Sequence, residues 1–181
     1  MDIDMKSDNL AAALQRARTV LQRRPDMGLH DDAPAVARVE GGTRVVSRHP
    51  NGIEVVSDMP KELGGNGEHV TPGWLFRAGL ASCAATCIAM TAAEEGLTLD
   101  LLEVQAGSRS DTRGVLGMQE DDGTAVYAGS QDLQLQVRIR ANGVASHALH
   151  ALVEQGLRCS PVPTSVRDGA AFALQIEVGA D

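Results

Sequence analysis

The sequence predicts an α+β fold, and three features carry that reading. Strand-like stretches come in blocks separated by helical ones, which favours segregated antiparallel strands over a doubly wound sheet. Residues 72–95 form one long run of small apolar residues bounded by helix start and stop signals. Residues 133–141 alternate apolar and polar, with Leu133, Leu135, Val137 and Ile139 on one face. At 181 residues the chain is long enough for one domain with a small appendage. A compact chain of 19.0 kDa keeps roughly 8,000 Å² exposed out of about 27,000 Å² and buries about two-thirds of its surface.

The first element is an amphipathic helix over residues 8–23, capped by Ser7 or Asp8, with Leu10, Ala13, Leu14, Ala17, Val20 and Leu21 on one side. Pro25 and Gly28 end it. Residues 35–58 read as two or three antiparallel strands around the Gly41–Gly42 and Pro50–Asn51–Gly52 turns. LGGNG, residues 63–67, is a flexible loop rich in exposed amides. Thr71 caps a long helix that starts at Pro72 and stops at Gly96. Its all-round apolarity predicts burial on every side. A strand at Leu102–Arg109, a polar loop at Asp111–Gly129, the 133–141 strand, a helix at Ala145–Leu157 and a strand at Phe172–Val178 complete the order. Residues 1–32 form a helical extension and residues 33–181 the domain proper.

The net charge is −8 and the pI is near 5.0, with no basic stripe. Nucleic acid and anionic membranes are therefore excluded as partners. Aromatics make up 2% of the chain, too few for a base-stacking surface. The first twenty residues lack the basic and apolar regions of a signal peptide. Three cysteines without a leader point to a reducing cytoplasm.

Those cysteines are the candidate chemical groups. Cys83 and Cys87 lie one turn apart on the long helix, and Cys159 lies just past the next helix, before Ser160–Pro161. A thiol on a rigid helix and a thiol on a mobile helix end suit a peroxidatic and resolving pair. Spacing alone is a weak signal for this and favours the plainer reading, three buried structural cysteines. No metal site is expected, because CxxC and HxxxH pairs are absent, and no cofactor is expected either. His147 and His150 read as a solvated helix face, and the 120–122 acidic run as a solvated turn. The LGGNG loop lacks the Lys and Ser/Thr of a phosphate loop. His69, Trp74 and Phe76 are candidates for a substrate pocket.

The run PKELGGNGEHVTPGWLFRAGLASC, residues 60–83, resembles the OsmC and organic-hydroperoxide-resistance family. The shared features are the LGG loop, a Pro eleven residues before a helix Cys, and a second Cys after a later helix. The resemblance spans roughly residues 35–178. It implies antiparallel sheets packed around a long central helix in an intertwined homodimer. It also implies that Cys83 attacks an organic hydroperoxide, that Cys159 resolves the sulfenic acid to a disulfide, and that a lipoyl-type dithiol restores the pair. A reactive thiolate needs a stabilising cation, which the family draws from an Arg held by a Glu. Arg44 falls nearest that place, with Arg38, Arg48 and Arg77 as rivals. The Glu position holds Gly73, for which Glu68 is a conceivable substitute, and Ser160 separates Cys159 from its Pro. These departures predict a slow peroxidase. The alternative is a non-catalytic small-molecule-binding or redox-sensing protein on the same scaffold.

Overall fold

The computed structural model describes residues 4–179. Helix α1 runs Asp4–Arg23, so it starts a turn before the expected Ser7 or Asp8 cap. A 3₁₀ turn over Pro25–Gly28 follows it. Strands β1 (Val36–Gly41), β2 (Arg44–Arg48) and β3 (Glu54–Ser57) form an antiparallel meander in that order. Its two turns use the positive φ of Gly42 and Gly52.

Asp58, 2% exposed, ties the end of this meander to the LGGNG loop. Its Oδ1 accepts from Thr43 Oγ1 at 2.6 Å and from the Met59 amide at 2.8 Å, and its Oδ2 accepts from the Asn66 amide at 2.8 Å. The other loop amides are also used: Gly64 bonds Lys61 O, Gly65 bonds Pro60 O and Gly67 bonds Met59 O. The loop is therefore a closed knot and offers no free amides to a ligand. Gly65 is required here, because a Cβ would fall 1.8 Å from Met59 O.

Helix α2 spans Pro72–Glu94, with the Thr71 hydroxyl accepting from the Trp74 amide at 3.2 Å. Strands β4 (Leu101–Arg109) and β5 (Gln131–Arg140) pair antiparallel, with the short helix α3 (Thr112–Val115) between them. Helix α4 covers Ser146–Arg158, and α5 covers Pro161–Asp168. The core lies where α2, α4 and the β4–β5 ribbon meet, around Ile88, Ala92, Ala141, Leu149 and Leu152. There α4 passes so near α2 that a Cβ on Gly156 would fall 2.7 Å from Ile88 Cα. Helix α1 lies against α2, with Arg18 Nη2 2.5 Å from Glu94 Oε1.

Three expectations are corrected. The expected order has no helix between residues 157 and 172, whereas Pro161 opens α5, because proline fits the first position of a helix. Residues 172–178 form no strand: Phe172, Leu174, Ile176 and Val178 are 73–90% exposed. Their alternation is a local property, whereas a ladder needs a neighbouring edge. Helix α2 buries only Leu80, Ala84, Ile88 and Thr91–Ala93 along one side, since a single chain supplies neighbours for that side alone. Consequently the chain exposes 13,629 Å², far above the roughly 8,000 Å² of a compact chain of its mass. Among the described residues, α2 alone has the length and apolarity to cross a membrane, but its buried side is a protein core.

Two outcomes test this packing. Gly156→Ala forces the helices apart and should cost about 1–3 kcal/mol by overpacking, read from the urea midpoint. An unchanged midpoint would mean that the crossing is loose. The Thr43 hydroxyl, followed by the Asn66 amide, holds the Asp58 carboxyl below the usual carboxylate range. A depressed carboxylate stabilises the fold above its unfolded value near pH ~3.9, and the contribution is lost as pH falls through the folded value. The melting temperature of Asp58→Asn should therefore lie below that of the unaltered protein at pH 6, with the gap narrowing below about pH 4. A gap that stays constant with pH would assign Asp58 a role independent of its charge.

Candidate functional site

Cys83 sits on α2 one turn after the buried Leu80 and one turn before Cys87. Its sulfur receives two hydrogen bonds from the start of α5: the Ser160 hydroxyl donates at 3.2 Å and the Val162 amide at 3.4 Å. The sequence SPVP explains both. Ser160 is the extended residue before α5 (φ −92°, ψ 109°), yet its hydroxyl makes no capping bond. Two of the first three helical positions are Pro161 and Pro163, which have no N–H to be capped. Val162 holds the one remaining donor among those three, and it goes to the sulfur. The Thr164 amide bonds Ser160 O at 3.0 Å and closes the first turn.

Cys87 donates its S–H to the carbonyl of Cys159 at 3.4 Å. Burial pushes the Cys87 thiol up; the Ser160 hydroxyl acts in the opposite direction, and the Cys83 sulfur adds to the rise. Cys87 is thus a protonated donor that ties the end of α4 to α2. Residues four apart on a helix have Cβ atoms about 5–6 Å apart, beyond the roughly 3.5–4.5 Å of a disulfide, so an intact α2 keeps Cys83 and Cys87 unbridged. All three cysteines are free, and Cys159 is exposed. At this junction the backbone of Cys159 meets Cys87, while the side chain facing Cys83 is that of Ser160.

The other predicted residues are more scattered. Arg44 Nε lies 3.4 Å from Glu40 Oε2, and its Nη1 lies 3.4 Å from His69 Nε2. Arg44 and His69 are therefore brought together, but away from the hydrogen bonds that reach Cys83. Of the rival arginines, Arg48 pairs with Glu54 at 2.6 Å, and Arg77 donates to Ser108 Oγ at 3.3 Å. Phe76 precedes Cys83 by seven residues and shares its side of α2, whereas Trp74 precedes it by nine and lies on the opposite side. Both rings are exposed. A Cβ at Gly73 would lie 3.7 Å from Arg77 Nη1, so the position where the family has its Glu neighbours Arg77. Sequence reasoning missed Ser160 and Val162 as neighbours of Cys83, although Ser-Pro is a recognisable helix-start pair.

Among the described residues no three His, Cys, Asp or Glu side chains converge as metal ligands. A half-open cavity of about 690 Å³ lies between β5 and α4, with apolar side chains such as Val137, Ile139 and Leu149 on its floor and Arg138, Arg140 and His150 in its wall. It is separate from the Cys83 sulfur.

The family profile described as OsmC-like protein matches residues 65–175. No curated protein matches the sequence. Among solved structures, an OsmC-like protein from Mycoplasma pneumoniae aligns with a TM-score of 0.63 at 14% identity, covering 77% of this chain and 89% of that one. An organic hydroperoxide resistance protein from Elizabethkingia anophelis aligns with a TM-score of 0.55 at 21% identity, covering 77% and 90%. An organic hydroperoxide resistance protein OsmC from Legionella pneumophila gives 0.54 at 21% identity, covering 76% and 92%. The helix that carries Cys83, the β4–β5 ribbon and the α4–α5 junction all fall within the matched residues, and the chain belongs to the OsmC-like family.

Proposed function

We propose that the protein is a cytoplasmic thiol peroxidase that reduces organic hydroperoxides, with Cys83 as the attacking sulfur. The observation that carries this reading is the pair of hydrogen-bond donors directed at the sulfur of a thiol fixed to a rigid helix. The names of the structural relatives, organic hydroperoxide resistance proteins, supply the substrate class. In the first step the Cys83 thiolate attacks the distal peroxide oxygen and the O–O bond breaks. Sulfur loses two electrons and becomes a sulfenic acid, and the departing alkoxide takes a proton to become an alcohol. In the second step the Cys159 thiol condenses with the sulfenic acid, forming a disulfide and releasing water. A dithiol of the lipoyl class then reduces that disulfide and is itself oxidised to a cyclic disulfide. The second step requires the junction between α4 and α5 to turn, releasing the Cys87 to Cys159 carbonyl bond, and the Cys159 side chain that must move is exposed.

The working unit is a homodimer. The support is physical: the uncovered side of α2, the exposed Trp74 and Phe76, and the large excess of exposed surface call for a second copy. Within it, Phe76 walls the peroxide site of its own chain, while Trp74, on the opposite side of α2, and His69 and Arg44, the candidate cation, reach a Cys83 only across the dimer. Residues 1–32 are an extension to the domain at 33–181. A second reading, a binding protein for a small apolar or acyl ligand, is favoured by one observation, the cavity between β5 and α4 with its leucine and valine floor and its arginines.

Peptide mass spectrometry after one equivalent of cumene hydroperoxide tests the chemistry. A Cys83–Cys159 disulfide is expected, forming faster than with hydrogen peroxide. Cys83→Ser should abolish it, and Cys159→Ser should leave a sulfenic acid that dimedone traps. Thiols that stay reduced for minutes, together with an apolar molecule co-purifying with the protein, would favour the binding protein. Light scattering should give twice the chain mass, and a monomer would remove the shared site.

A further inference from the structure

We propose that Ser160 is a positioning residue of the Cys83 site, its hydroxyl and the Val162 amide together forming an uncharged cradle whose donors meet the negative charge that develops on the sulfur when it reacts. The inference rests on the peroxidase reading and adds a residue to it. Ser160 is 1% exposed, and a buried hydroxyl requires a hydrogen-bond partner. Of the two amides that a serine at a helix start usually accepts from, Pro163 lacks one and the Val162 amide goes to the Cys83 sulfur. The hydroxyl is directed instead onto Cys83 Sγ at 3.2 Å, beside the Val162 amide at 3.4 Å. The two prolines thus do more than open α5: they leave the Val162 amide as the one donor among the first three helical positions. The α5 dipole places its positive end at the same point.

The charged neighbours are engaged elsewhere. On α5, Arg167 pairs with Asp168 at 2.7 Å. On α4, Arg158 bonds Gln155 at 2.5 Å. On β4, Glu103 pairs with Arg138 at 3.3 Å and Arg109 with Asp132 at 3.6 Å. Arg18 of α1 reaches Glu94 at the far end of α2. The titratable group beside the sulfur is Cys87, which is not a cation.

The test is the rate of Cys83 alkylation by iodoacetamide from pH 5 to 10, read by peptide mass spectrometry on the full chain. Ser160→Ala should slow it roughly tenfold at pH 7, the scale of one lost hydrogen bond to an anion. The rate at pH 10 should be unchanged, and Ser160→Thr should restore the profile. Cys159, alkylated in the same samples, should not respond. An S160A profile that matches the unaltered protein, or that is slowed equally at every pH, overturns the proposal. If S160A loses its helical circular dichroism, Ser160→Gly, which also suits the position, carries the comparison. Unfolding of both would assign Ser160 a purely structural role and likewise overturn it. Peroxide oxidation is followed separately. A protein inert to cumene hydroperoxide, with alkylation that still depends on Ser160, removes the peroxidase reading alone. An active peroxidase indifferent to Ser160 removes this proposal alone.

Discussion

The close passage of α4 over α2 at Gly156 and Ile88 is the constraint on which the site depends. Any side chain at Gly156 would meet the backbone of α2, so the approach is possible only with glycine. From that point α4 has less than a turn left before Cys159 and Ser160. The contact therefore sets the height at which the chain leaves α4, and with it the position of Ser160 and Val162 over Cys83. The Cys87 S–H to Cys159 carbonyl bond pins the same end from the other helix. Core packing and the sulfur environment are consequently one structural problem.

Much of this was legible in the sequence where signals are local. Thr71–Pro72, the long apolar run and Gly96 mark α2 with its ends, because cap chemistry and hydropathy are written in consecutive residues. The clean alternation of residues 133–139 marks β5 for the same reason. Ser160 is less legible, because a proline just past a helix marks its end as readily as the start of the next one. Arg44 was placed by resemblance to a motif, and no local pattern states which acid or imidazole it meets. Glu40 and His69 reach it through the β1–β2 turn and the loop before α2. The fate of residues 172–178 was illegible for a similar reason: alternation specifies a face, and only tertiary structure supplies an edge.

The chemistry around Cys83 is weighted toward neutral donors. An exposed Arg is screened by salt and shared with nearby carboxylates, as Arg44 is with Glu40. A buried hydroxyl and a helix amide are not screened in this way, and they keep their direction because the backbone fixes them. In a chain of net charge −8, fixed dipoles also avoid competition from the protein's own acids.

The uncovered 172–178 segment has a consequence for solubility. It presents four large apolar side chains on one face, unpaired backbone on both edges, and in Glu177 a single charge. Such a strip is a template for any other strand, and natural proteins cover or blunt it. Until it is covered, two molecules meeting through these segments can stack in register as the first layer of a cross-β aggregate. The chain's solubility is therefore a race between correct burial of this strip and its pairing with copies of itself.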